Sequence, residues 1–273
     1  MNTFILLIQS IMKIIFLGDI VGKPGRQVIT KLLPDWKKEH NPDLVIANGE
    51  NMAHGSGFTV SGFEEVQKAG VDFFTSGNHW PRKDDGLALF QNKNTPIIRP
   101  ANWVGNIPGD GYKVIEVGTT KVAIINLIGQ IFMHEQHNSP FYKLDEILYE
   151  IGNNAKVIIV DMHAEVTSEK QAIGWHADGR VSVVVGTHTH VPTADARLLL
   201  KGTAYVTDLG MCGGRDGVIG DDREIRTSQF LDQMPRKHAI QEDGPKQVNS
   251  VVIDIDSKTG KANSIERLDE VVE

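Results

Sequence analysis

The chain has 273 residues, of which 40% are hydrophobic and 23% charged, the composition of a folded globular protein rather than a disordered one. A formal net charge of −7, with no dense run of Lys or Arg, argues against stable general nucleic-acid binding, which needs a basic surface. The single cysteine, Cys212, excludes an internal disulfide framework and suits a reducing, cytoplasmic compartment.

In chain order, residues 4–20 form an apolar stretch. No Lys or Arg precedes Phe4, no small-residue cleavage site follows before Gly18, and Gln9, Ser10 and Lys13 interrupt the run. Neither a signal peptide nor a membrane span is therefore expected. Met12 heads the first strand-like run, which makes residues 1–11 a dispensable extension. Residues 14–17 read as a buried strand, and Gly22-Lys-Pro-Gly25 opens a helix reaching about residue 39. A second strand is expected over 43–47. Ser61, with Glu64 three residues on, reads as the cap of a helix that ends near Gly70. A third strand follows over 71–75. This β-α-β-α-β rhythm predicts parallel strands with right-handed crossovers.

Residues 112–117 and 121–126, separated by Gly118-Thr-Thr120, read as a hairpin. A second series then gives a helix over 142–152, a strand over 156–160, a helix from about Ser168 and a strand over 181–185. Strands at 194–200 and 203–207 meet at a Lys201-Gly202 turn, and 247–256 and 264–268 supply two more. The expectation is an α/β fold of two packed mixed β-sheets flanked by helices. No linker rich in Pro or Ser divides it, so residues 12–273 form one domain. Residues 208–244 are Gly-rich and then charged, a long connection of the kind that serves as a functional loop or an interface.

Polar residues cluster where the strands end. Asp19 follows the first, Glu50 and Asn51 the second, Asn78 and His79 the third, His163 the fourth, and His188 and His190 the fifth. Parallel strands place their C-terminal ends along one edge, where ligands bind. The i, i+2 spacing of His188 and His190 would put both imidazoles on one side of a strand. Glycines beside three clusters, Gly18, Gly77 and Gly186, let the backbone turn and approach a ligand. Carboxylate, amide and imidazole donors suit Mn, Fe, Zn or Mg and not a Cys-rich structural zinc site. The donors are too many for one ion. Two divalent ions sharing a carboxylate and a hydroxide would use them all and would serve phosphoester hydrolysis.

The order Gly18-Asp19, Gly49-Glu50-Asn51, Gly77-Asn78-His79, His163 and Gly186-Thr-His188-Thr-His190 resembles the calcineurin-like metallophosphoesterases. The fit is closest to their YmdB-like bacterial branch, and it extends to Gly18-Asp-Ile-Val-Gly-Lys-Pro-Gly-Arg26, Ala164-Glu-Val-Thr-Ser-Glu-Lys170 and Pro192-Thr-Ala-Asp195. The resemblance implies an α/β/β/α metallophosphoesterase sandwich. Two departures from the wider superfamily stand out: Val21 occupies a usual histidine position, and Glu50 a usual aspartate position. The resemblance implies that Asp19, Glu50, Asn51 and His190 hold one ion, with Asn51 making good the missing histidine. Glu50 then bridges to a second ion held by Asn78, His163 and His188. His79 is implied to be the general acid for the leaving alkoxide. The amide donor makes the first site harder, favouring Fe or Mn over Zn, with Zn or Mg as the alternatives.

The implied activity is hydrolysis of small phosphodiesters, cyclic nucleotides among them and 2′,3′-cyclic species favoured, by a homo-oligomer. Alternatives are a phosphomonoesterase or protein phosphatase, and a metal-binding regulatory protein that acts through a partner. Of the remaining residues, His54 is placed to touch substrate and Arg26 to meet phosphate at a helix N-terminus. Glu169 and Lys170 read as pocket residues or a solvated helix face. His40, His134, His137, His176 and His238 read as surface or locally bonded. Gly213-Gly-Arg-Asp-Gly217 lacks the ending of a nucleotide P-loop, and Cys212 reads as a small packed side chain.

Overall fold

The computed structural model describes residues 11–273. The proposed 1–11 extension lies outside the described residues except for Ile11, which pairs with Asp256. The chain begins with β1 (Ile11–Leu17), β2 (Asp19–Ile20), α1 (Gly22–His40), β3 (Leu44–Asn48), α2 (Val60–Ala69), β4 (Phe73–Thr75) and α3 (Asp84–Gln91). It continues with β5 (Tyr112–Val117), β6 (Thr120–Ile128), α4 (Pro140–Ile151), β7 (Val157–His163), α5 (Thr167–Ala177) and β8 (Val183–Thr187). The last part holds β9 (Arg197–Leu198), β10 (Ala204–Val206), β11 (Met211–Gly214), α6 (Arg223–Asp232), β12 (Lys246–Val248), β13 (Ser250–Asp256), β14 (Ala262–Arg267) and β15 (Glu270–Val272).

Two mixed sheets face each other, in the orders β14-β13-β1-β3-β4 and β5-β6-β7-β8-β10-β9. Strand alternation sends one face of each sheet inward, so Ile14, Phe16, Ile46, Phe73, Ile124, Ile159 and Val185 share one buried cluster between them. The outer faces are covered by helices. Ile15, Leu17 and Val45 pack with Val28, Leu33 and Phe63 from α1 and α2, while Ile125, Val160 and Met162 pack with Leu144, Ile147 and Ile173 from α4 and α5. The parallel pairs β1–β3–β4 and β6–β7–β8–β10 point their C-terminal ends to one edge.

A third, four-stranded sheet, β15-β12-β11-β2, adds to the two expected. The chain crosses into it at Gly18, whose N–H bonds the Asn249 carbonyl while Asp19 N–H bonds Gly210. The run 247–256, which reads as one strand, is divided at the same crossover. Val248 pairs with Cys212 in the small sheet, and Ser250 pairs with Leu17 in the large one. The hydrophobic pattern continues through the break because both halves are buried, so sequence pattern alone does not reveal it. The cap of α2 is Thr59 rather than Ser61, its side chain accepting from Gly62 N–H at 3.2 Å. No helix among the described residues is long and apolar enough to cross a membrane.

Candidate metal centre

The space between the two large sheets changes character along the strands. On β7 the inward positions run Ile159, Asp161, His163, and on β8 they run Val183, Val185, Thr187; β3 ends Ile46, Asn48 and β4 ends Phe73, Thr75. A layer of apolar side chains is thus followed by a layer of buried polar ones, and then by the residues at the strand ends. In the polar layer Asp161 accepts from Thr75 Oγ1 at 2.5 Å, Thr187 Oγ1 at 2.7 Å and Asn48 Nδ2 at 3.0 Å. Burial raises the Asp161 carboxyl above its usual range, and His163 and these three donors oppose the rise.

All eight residues singled out at the strand ends meet above this layer. His163 Nε2 lies 3.2 Å from Glu50 Oε2, 3.2 Å from Asn78 Oδ1 and 3.0 Å from His188 Nδ1. Asp19 Oδ1 is 3.8 Å from His163 Nδ1, and Asp19 Oδ2 accepts from His188 N–H at 3.1 Å. Two sets of donor atoms are close enough to close around a cation, Glu50–His163–His188 and Asp19–Glu50–His190, and Glu50 belongs to both. His79 stands at the side of the shared carboxylate, its Nδ1 3.3 Å from Glu50 Oε1, with 28% of its side chain exposed. Asn51 lies beside it, Nδ2 bonding Gly55 O and lying 3.4 Å from His79 Nδ1.

The residues fit a bound cation on several counts. Asp19 Oδ1 and Asn51 Oδ1 are buried without a hydrogen-bond partner, which a native interior rarely tolerates unless something else satisfies the oxygen. Gly77 leaves open the space in which a Cβ would strike both Glu50 Oε2 and His163 Nε2. Electrostatics agree. Burial pushes the Asp19 carboxyl up to about 7 despite His190 and His163 nearby. His163, which burial would lower, is driven up to about 9 by Glu50. Burial also acts to raise Glu50, but His163 and His79 hold it well below the carboxylate range. Burial and then His163 push His188 down to about 3. A divalent ion would take over the neutralising that protons do at Asp19 and His163, bringing both of those raised values down.

The two histidines of the fifth cluster are aimed by a loop. β8 ends at Thr187, and His188 and His190 adopt φ of 97° and 65°, so strand alternation does not govern them. Non-glycine residues in the left-handed region are strained and need support. Asp208 supplies it, accepting from Thr189 N–H at 3.2 Å and Thr189 Oγ1 at 2.7 Å while Lys170 Nζ pairs with it at 2.6 Å. His190 Nδ1 bonds the Ile219 carbonyl at 2.7 Å, which leaves Nε2 for a cation. Gly186 permits this packing, since a Cβ there would strike the Thr207 carbonyl.

A cleft of about 750 Å³ opens above Glu50, Asn51, His79, His188 and His190. Residues 208–244 form one wall of it through Ile219, Asp221, Arg226 and His238. His238, read as a surface or locally bonded residue, bonds Asp221 at 2.7 Å from within that wall. His54 also lines the cleft. Arg26 does not reach the cleft, because Glu65 and the Met52 carbonyl occupy its guanidinium. Lys170 and Glu169 are buried rather than solvated, Glu169 accepting from Gln130 N–H. Cys212 is buried and its thiol is pushed up by burial, as befits a packed side chain.

Sequence reasoning missed Asp161, Thr187 and Asp208. Each had a signal: a carboxylate inside an apolar strand two residues before His163, a hydroxyl one residue before His188, and a sixth polar strand end after 203–207.

Fold and donor set together define a metallophosphoesterase. The family model of YmdB-like proteins matches residues 15–268. The curated 2′,3′-cyclic-nucleotide 2′-phosphodiesterase of Bacillus subtilis (strain 168) is 43% identical over 258 residues, spanning 94% of this chain and 96% of that protein. A crystal structure of a novel phosphatase from Mycoplasma pneumoniae superposes with a TM-score of 0.90 at 37% identity, over 96% of this chain and 94% of that one. A putative 5′-nucleotidase from Staphylococcus aureus, 17% identical, shares the fold with a TM-score of 0.61 over 95% of this chain and 54% of that one. The chain belongs to the YmdB-like family of phosphoesterases.

Proposed function

We propose that the chain is a dinuclear metal-dependent phosphodiesterase acting on small cyclic nucleotides, 2′,3′-cyclic species foremost. The observation that carries the reading is the pair of donor sets sharing Glu50 at the floor of a cleft. Its volume of about 750 Å³ falls in the range of small-ligand sites rather than that of a protein-docking face. The substrate preference follows the Bacillus subtilis relative, named as a 2′,3′-cyclic-nucleotide 2′-phosphodiesterase.

Asp19, Asn51 and His190 would hold one ion, Asn78, His163 and His188 the other, with Glu50 shared between them. When bound, the ions supply positive charge for the phosphoryl oxygens and a water of lowered pKa. The mixed oxygen and nitrogen donors favour iron or manganese. The chain's own residues do the rest. His79 keeps Nδ1 toward Glu50 and offers a proton from Nε2 to the leaving 2′-oxygen. Glu50 thereby orients the acid as well as serving the metal sites. The wall formed by Ile219, Asp221 and Arg226 restricts water and bounds the space left for the nucleoside.

Turnover of bis-aryl against mono-aryl phosphate by the manganese-loaded protein, followed by a panel of cyclic nucleotides, tests the reading. A dominant diester activity supports it, and dominance of the monoester overturns it in favour of a phosphatase. A homo-oligomer and a cytoplasmic location belong to the same reading. Sedimentation velocity and cell fractionation test them.

A further inference from the structure

Proton counting in the polar layer singles out a residue that touches no substrate. Ionised Asp161 can only accept, and it takes hydrogen bonds from Thr75, Asn48 and Thr187. Thr187 has one hydroxyl proton, and it is committed to Asp161 Oδ1 at 2.7 Å. Its lone pairs therefore face Asn48 Nδ2 at 3.3 Å and His163 Nδ1 at 2.9 Å. His163 Nδ1 must therefore donate, while the two hydrogens of Asn48 Nδ2 are shared among Asp161 Oδ2, the Ser76 carbonyl and Thr187. His163 Nδ1 then carries a hydrogen, so in the neutral ring the free electron pair is on Nε2, the nitrogen beside Glu50, Asn78 and His188. The five residues come from four strands, β3, β4, β7 and β8, so the arrangement also ties the two large sheets together beneath the site.

We infer that Thr187, with its hydroxyl oriented by Asp161, is a positioning residue that fixes the tautomer and ring direction of His163 and so selects Nε2 as a metal donor. The inference rests on the reading above that His163 holds one of two ions. His163 is thus held by a buried hydroxyl, whereas His190 is oriented by a backbone carbonyl and His188 Nε2 meets the Glu165 carboxylate at 3.2 Å. Asp161 acts through Thr187 and does not reach the cleft.

Manganese retention by the full chain under increasing chelator tests it, with ions per chain as the readout. Thr187→Val, which keeps the shape and removes the hydroxyl, should release one of two ions at a chelator concentration about 10–100-fold lower, the usual cost of removing such a partner. Thr187→Ser should hold both ions as the parent does. Unchanged retention in a folded Thr187→Val protein overturns the inference, as does a Ser variant as weak as Val. Should Thr187→Val not fold, Asp161→Asn takes its place: its amide frees the Thr187 proton, and unweakened retention again overturns the inference. His163→Ala separates the two readings. If it loses one ion while Thr187→Val loses none, only the positioning role fails. If it retains both, the metal reading itself fails.

Discussion

The floor and the far wall of the cleft are made from different kinds of chain. Asp19, Glu50, Asn78 and His163 are nearly or fully buried at the ends of paired strands, over a polar layer whose donors and acceptors are matched. The wall comes from residues 208–244, where α6 buries none of its residues and leaves Phe230 and Leu231 exposed to 78% and 82%. A close-packed floor has one arrangement, because moving any member leaves a buried polar group unpaired. α6 joins the rest of the wall chiefly through the ion pair of Arg226 with Asp221 at 2.6 Å, whereas Met211–Gly214 of the same segment are buried in the small sheet. On the proposed reading, chemistry belongs to the buried floor and choice of substrate to the wall, with the Ile219 carbonyl on His190 as the link.

The floor is most vulnerable at Glu50. Replacing it with Ala removes the one carboxylate common to both donor sets, and phosphodiester turnover should fall about 10³–10⁴-fold with loss of bound metal. Metal analysis beside kinetics checks this, and full retention of two ions would mean that the floor does not depend on sharing. His79→Ala should lower kcat by about 10²–10⁴-fold with metal content intact, and least for a good aryl leaving group. An equal loss for good and poor leaving groups would remove His79 as the acid. Lys170→Met leaves Asp208 buried without its cation and should cost about 3–5 kcal/mol in chemical denaturation, loosening the loop that carries His188 and His190.

A smaller effect depends on pH. His163 folds with its pKa raised from 6.5 to about 9, so its contribution to the stability of the chelated chain is complete below pH 6.5 and disappears as pH rises through 9. The melting temperature of the metal-free chain should fall across that window, and added manganese should restore more of it at the alkaline end, because the ion displaces the proton. A flat profile would show that the floor is not held by that proton. The mildest change is expected at the wall. Arg226→Ala should raise KM about 10-fold, the worth of a charge-assisted hydrogen bond, while kcat stays within about twofold. A fall in kcat instead would show that the wall shares in the chemistry.

Much of this molecule was legible before folding. Strands buried on both faces read as unbroken apolar runs, and polar residues that interrupt them at the C-terminal edge stand out, so Asp19, Glu50, Asn78, His163 and the paired histidines announced a common site. Helix caps were less legible: Thr59 and Ser61 are chemically alike, and backbone geometry alone chose Thr59.

Tertiary structure decided what depends on direction and partnership. Which sheet a strand joins at Gly18 and Asn249, which imidazole meets which carboxylate, and whether Arg26 faces phosphate or Glu65 are questions of a few ångströms between segments far apart in the chain. Residue type sets what an atom can donate or accept. Only the packed neighbours determine where the one proton of Thr187 goes, and hence which nitrogen of His163 is left for a metal.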